Sequence, residues 1–268
     1  MQASFAAVVA AIVLAYAESC LAADETPVDL ELVLAVDISA SMTPDEQQFQ
    51  RQGYVQALRS PRVLNAIRSG ALGRIAVAYV EWADEGIQRV VVPWTIVDGE
   101  DSALDFSNAL EGAPIGREFG TSISAALRFS NDQFSVNNYV GERRAVDVSG
   151  DGPNNLGPSV EATRDEVVGD GVTINALPIM IRPRWGQGLY SIEGLDHYFE
   201  DCVIGGPGAF VVSVDRKEDF GSAIERKLVL EISNEFEATI APVAEFRREE
   251  RIDCMSGEKG EGRLSPAN

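Results

Sequence analysis

The 268-residue sequence holds one histidine, His197, and three cysteines, Cys20, Cys202 and Cys254. That scarcity excludes a zinc site built on several histidines. Any Ser-His-Asp triad would have to use His197, which no Gly-x-Ser-x-Gly motif accompanies. Basic residues are also few, 22 Lys and Arg against 42 Asp and Glu, for a formal charge of −20. A surface so acidic repels phosphate backbones and anionic headgroups, so no nucleic-acid partner is expected. Beyond the N-terminal segment no uninterrupted apolar run reaches the ~18 residues of a membrane span, and no stable membrane insertion is expected. Gly205-Gly-Pro-Gly208 lacks the Lys-Ser/Thr pair of a phosphate loop and precedes a strand, so it reads as a structural turn. What is present is ordinary: 45% hydrophobic and 24% charged residues place the chain among globular proteins with one large core.

Ser4 to Tyr16 is an almost unbroken run of apolar and small residues, too short for a lasting anchor. Ala22 and Ala23 offer a cleavage point before Asp24-Glu25-Thr26-Pro27, and residues 1–23 are read as a signal peptide, which makes the mature chain periplasmic or secreted. Glu18 separates the apolar run from Cys20 and argues against lipidation. Cleavage leaves Cys202 and Cys254, which either form a disulfide, the expectation in an exported chain, or stay as two thiols.

The remaining chain alternates strands and helices. Leu30–Val36 is nearly continuous in apolar residues and reads as a strand buried on both faces, ending at Asp37. Thr43-Pro44-Asp45-Glu46 carries an N-cap, a proline at N1 and a capping-box glutamate for a helix to about Arg59. Arg74–Trp82 and Ile87–Trp94 are strands separated by Ala83–Gly86, too short for a parallel crossover, so they form an antiparallel hairpin. Helices follow near Asp101–Leu110 and Ser122–Phe134, then a strand at Arg143–Val148, a helix at Pro158–Val168, strands at Val172–Pro178 and Ala209–Val214, and a helix at Lys217–Asn234. The fold class expected is α/β: a doubly wound, mostly parallel six-stranded sheet with one antiparallel edge strand. The globular domain spans 28–240, and the polar segment 247–268 reads as a disordered tail.

Ligands of open α/β sheets bind beyond the carboxyl ends of the strands. Asp37-Ile38-Ser39-Ala40-Ser41 follows the first strand, Asp151 sits in the Ser-Gly-Asp-Gly turn after the fourth, and Gly120-Thr121-Ser122 opens a helix between them. Carboxylates and hydroxyls are hard oxygen donors of the kind that suit Mg²⁺. Alternate residues of a tightening loop point the same way, which gives the Asp-x-Ser-x-Ser spacing a geometric reason. Each piece alone has a plainer account, since Thr121 can serve as an N-cap and Asp151-Gly152 as a turn. Asn154 and Asn155 either help select a partner or shape their loop.

Taken together, Asp37-x-Ser39-x-Ser41, Gly120-Thr121 and Asp151-Gly152 resemble the metal-ion-dependent adhesion site of von Willebrand factor type A domains. Ala35–Ser39, Tyr79–Trp82, Val91–Trp94, Asp147–Asn155 and Val203–Phe210 are similar to a bacterial exported subfamily of such domains with no assigned function. The resemblance implies a Rossmann-like fold, bound Mg²⁺ or Mn²⁺, and Asp37, Ser39, Ser41, Thr121 and Asp151 as direct or water-bridged ligands. It implies a non-enzymatic binding module that engages an Asp or Glu of a protein partner through the metal. The alternative is a metal-dependent, phosphatase-like hydrolase using Asp37 as nucleophile. It lacks the usual second aspartate, because the +2 position is Ser39, and it lacks a general acid and a catalytic lysine. Type A domains usually carry an apolar residue where Asp147 sits, and Arg143 or Arg144 is the local candidate to neutralise it.

Overall fold

In β1 (Thr26–Asp37) the side chains alternate between two cores. Leu30, Leu32, Leu34 and Val36 enter one, Val33 and Ala35 the other, and all six are buried. The computed structural model describes residues 25–181, 192–233 and 251–257. β2 (Ile75–Trp82) and β4 (Tyr139–Gly150) flank β1 in parallel, β5 (Val172–Pro178) pairs parallel to β4, and β3 (Gln88–Val97) closes the other edge antiparallel to β2. The order is β3-β2-β1-β4-β5. Pro93, exposed in β3, is tolerated because an outer strand has no neighbour asking for its missing N–H.

Helices α1 (Pro44–Leu58), α2 (Pro61–Arg68), α3 (Glu100–Gly112) and α7 (Phe220–Ser233) cover one face, where Tyr54, Val63, Phe106 and Leu228 meet the leucine row of β1. α4 (Ile123–Gln133), α5 (Val160–Gly169) and α6 (Leu195–Tyr198), which runs into a π turn at Phe199–Val203, cover the other. The capping box forms at α1: Thr43 Oγ1 accepts from the Glu46 N–H, and the Glu46 carboxylate accepts from the Thr43 N–H at 2.8 Å. α2 adds a helix that the sequence reading lacks. Its Ser60 cap accepts from the Val63 N–H, with Pro61 in the first turn.

Among the described residues the sheet has five strands, not six. Residues 210–214 do lie beside β5: Ala176 N–H donates to Phe210 O, Val212 N–H to Ala176 O and Val214 N–H to Pro178 O. The next ladder bond would need an N–H from Pro178, which proline does not have, so the pairing survives only as isolated bridges at Ala176↔Val211 and Ile179↔Val214.

Asp147 is neutralised from a different direction than expected. Arg143 donates to the carbonyls of Glu231 and Ile232 at the end of α7, and Arg144 to Asp170 O. The partner is Lys227 on α7, whose Nζ lies 2.5 Å from Asp147 Oδ1 and 3.8 Å from Glu231 Oε2, with all three residues buried. Asn175 Nδ2 donates to both Glu231 oxygens at 2.8 Å. Burial raises both carboxyls against the pull of Lys227, Glu231 to about 7.

Cys202 and Cys254 form a disulfide with Cα atoms 5.6 Å apart. Within the segment expected to be a polar tail, residues 251–257 include a 3-10 turn at Cys254–Ser256, and Ile252 N–H donates to the Asp201 carboxylate at 2.8 Å. The proposed signal peptide and residues 234–250 and 258–268 lie outside the described residues, apart from the described 251–257 between them. Separating the two cysteines by Cys202→Ser with Cys254→Ser is expected to cost about 2–4 kcal/mol by freeing the unfolded chain. Denaturant melts of the oxidised chain and the double variant check this, and coincident midpoints would refute it.

Candidate functional site

The carboxyl ends of β1 and β4 are neighbours in the sheet, which brings the loops after Asp37 and Gly150 together. Asp37 is fully buried at 0% exposure, and Ser39 and Asp151 are also buried. Asp37 Oδ1 accepts from the Ser39 N–H at 2.6 Å, and Oδ2 from the Asp151 N–H at 3.4 Å. The Ser39 and Ser41 hydroxyl oxygens are 2.7 Å apart, and Ser41 Oγ donates to Asp151 Oδ1 at 2.6 Å. The oxygens of these four residues thus form one continuous cluster. Gly150 makes room for it: a Cβ there would stand 3.2 Å from Asp37 Oδ2 and 3.4 Å from the Trp82 ring.

Thr121 lies on the adjoining loop, buried, and is wired to the Asp151 loop rather than to Asp37. Its N–H donates to Asn155 Oδ1 at 3.0 Å, and its carbonyl accepts from the Asn155 N–H at 2.9 Å. Asn154, fully buried, accepts from the Ser124 N–H and donates to Pro158 O. Both asparagines therefore shape the loop. His197 is half-exposed, with Nδ1 3.2 Å from Glu200, and has no place in the cluster.

Several supporting residues escape a reading by motif. Gln47 Nε2 donates to Ile38 O at 3.0 Å and to Ser39 O at 3.4 Å, and Gln50 Nε2 to Ser149 Oγ at 2.8 Å, so α1 holds both ligand loops from beneath. Glu81, buried at the end of β2, is paired with Arg51 and Arg89 and accepts from the Gly116 N–H at 3.2 Å. Arg51 also donates to Leu110 O and Ala113 O, which fixes the loop leading to Thr121. The sequence offers no signal for these, since Gln47, Gln50 and Arg51 read as ordinary polar residues of a helix and Glu81 as a single polar residue in an apolar strand.

Asp37 is pushed up to about 8, first by burial and then by the neighbouring charge of Asp151; hydrogen bonds from Ser39 and the Asp151 backbone oppose the rise. Among the described residues no group of three or more His, Cys, Asp or Glu is placed to hold a metal. The cluster here has two carboxylates and completes its oxygen set with hydroxyls. No helix of the described residues is long and apolar enough to cross a membrane.

Residues 27–236 match the family described as "Protein of unknown function (DUF1194)". The chain belongs to that family. Its fold is the von Willebrand factor type A fold, as solved structures show. Proximal thread matrix protein 1 from the mussel byssus is 15% identical, with 79% of this chain and 49% of that one covered and a TM-score of 0.57. The pilus adhesin SpaC from Lactobacillus rhamnosus GG is 13% identical over 77% of this chain and 31% of that one, TM-score 0.55. A von Willebrand factor type A protein from Catenulispora acidiphila is 13% identical over 76% and 43%, TM-score 0.52. The chain thus spans half or less of the length of these structures. The mussel protein has also been solved with a zinc-occupied MIDAS motif, at 16% identity and TM-score 0.53. The search of curated proteins returns no match.

Proposed function

We propose that this DUF1194 domain is an exported, non-enzymatic binding module in which Asp37, Ser39, Ser41, Thr121 and Asp151 hold Mg²⁺ or Mn²⁺. The observation that carries the reading is the hydrogen-bonded oxygen cluster joining Asp37, Ser39, Ser41 and Asp151 across two strand ends. The donor set fits a hard divalent cation, because it is all oxygen and because two neighbouring carboxylates, one fully buried, repel each other without a cation. When bound, the ion supplies a strongly electropositive point on an acidic chain, to which an Asp or Glu of a protein partner can add as a ligand. The chain's own residues fix that point: Gln47 and Gln50 set the two loops, and Asn155 sets Thr121. Among the described residues no lysine or histidine joins these four in the hydrogen-bonded cluster, and the position two after Asp37 is Ser39 rather than a second aspartate, which favours binding over hydrolysis.

The test uses acetate as a minimal carboxylate. Amide resonances of the Asp37–Ser41 loop and of Thr121 are expected to shift with acetate only when Mg²⁺ or Mn²⁺ is present. Shifts that persist in EDTA, or none with metal, would contradict the reading. Thr121→Ala is expected to weaken metal and acetate binding by about tenfold, or ~1.4 kcal/mol, while the metal-free melting temperature stays within a degree or two. Calorimetry with thermal melts checks this, and equal affinities in the two chains would remove Thr121 from the site.

A further inference from the structure

We infer that the protein partner presents its carboxylate beside an apolar side chain, and that Phe119 receives that side chain; this rests on the metal-binding reading above. Phe119 is 82% exposed, the highest value among the exposed large hydrophobic residues described. Its backbone is nonetheless held on both sides. Glu118 N–H donates to Ile38 O at 3.1 Å, Ala40 N–H donates to Glu118 O at 2.6 Å, and Arg117 Nη2 donates to Ala40 O at 2.9 Å. Residues 39 and 118 are bridged as in a parallel sheet. On the other side Gly120 has a φ of +90°, and a Cβ there would stand 2.6 Å from both Leu156 Cδ1 and Asp84 Cβ. Thr121 and Ser122 then bond to Asn155 and Ala83.

An aromatic ring is therefore carried, in water, on a short anchored bridge between the Ser39–Ser41 loop and Thr121, two parts of the proposed metal site. Of the nearby side chains Glu118 and Glu85 are exposed carboxylates, Asp84 is a half-buried one, and Arg117 is an exposed cation, so the surroundings are acidic on balance. A second acidic group on the partner would be repelled there, whereas a neutral apolar group is not, and it removes the ring from water. Charge argues against a second acid and the exposed ring argues for an apolar group, so the occupant is one carboxylate for the cation and an apolar neighbour for Phe119. Leu156, packed on Gly120, extends the apolar contact on the same side.

The experiment pans phage-displayed random peptides on the full chain in Mg²⁺ and elutes with EDTA. The eluted peptides are expected to carry an Asp or Glu within a few residues of Phe, Trp, Leu, Ile or Met. A synthetic peptide from that set should bind Phe119→Ser about tenfold more weakly than the native chain, while Mg²⁺ affinity and melting temperature are unchanged. Acidic peptides with no apolar preference, equal binding by Phe119→Ser, or no EDTA-eluted peptides at all would overturn the proposal. Calorimetric Mg²⁺ binding by the native chain separates the cases: if it persists, the metal reading stands and only the role of Phe119 falls.

Discussion

Lys227→Met is expected to destabilise the domain by about 3–5 kcal/mol, because it strips the cation from two buried carboxyls rather than removing a surface ion pair. Asp147 lies inside β4 opposite Leu34 of β1 and Asn175 of β5, so it cannot turn to water. Without Lys227 its carboxyl must take up a proton on folding. The sign follows: a carboxyl raised in the folded state contributes stability below its ordinary range and loses it as pH rises through the raised value. Glu231, already at about 7, behaves the same way. The deficit of the variant is therefore smallest in acid and grows toward neutral pH. Adding Asp147→Val, which restores an apolar residue between Val146 and Val148, should recover most of the loss. Urea melts of the native, single and double variants at two pH values check this; a single variant as stable as the native chain would mean the triad carries no net burden.

Asp37→Asn is expected to do the reverse in metal-free protein: stabilise it, by several kcal/mol at the upper end of the pH range. Asp37 is raised from 3.8 to about 8, with burial as the larger cause and Asp151 as the second. The contribution of that carboxyl is fully present below its ordinary value and is lost as pH rises through about 8, at up to ~1.4 kcal/mol per pH unit. Native protein in EDTA should therefore lose stability from mildly acidic to mildly alkaline pH, and Asp37→Asn should flatten that slope. An asparagine oxygen can still accept from the Ser39 N–H at 2.6 Å, at the loss of the longer 3.4 Å bond from the Asp151 N–H. Mg²⁺ should raise the native melting temperature most where the carboxyl is ionised and leave the variant unmoved. Thermal melts across pH with EDTA or Mg²⁺ decide it; parallel curves for the two proteins would contradict the assignment.

What the sequence made legible was local. The continuous apolar run of β1 required burial on both faces, and the Thr43–Glu46 box set the start of α1. The Asp-x-Ser-x-Ser spacing placed three side chains in one loop, and the hairpin length dictated the antiparallel edge. Ser60-Pro61 is an equally readable helix start, with a hydroxyl cap and a proline in the first turn. The rest depended on distance along the chain. Lys227 meets Asp147 across 80 residues, and only the docking of α7 on the sheet selects it over the adjacent Arg143 and Arg144. Pro178 interrupts the sixth strand through a missing donor on its neighbour, not through anything within 209–214. Gln47 and Gln50 look like helix-surface residues until α1 packs beneath the two ligand loops.

The most direct measurement is a calorimetric titration of Mg²⁺ into metal-free native protein and into Asp37→Ala, with circular dichroism of both. Saturable binding by the native chain and none by the variant, with the two spectra superimposable, is the predicted result. Equal Mg²⁺ affinity in a folded Asp37→Ala chain would show that the oxygen cluster at the ends of β1 and β4 is not the metal site.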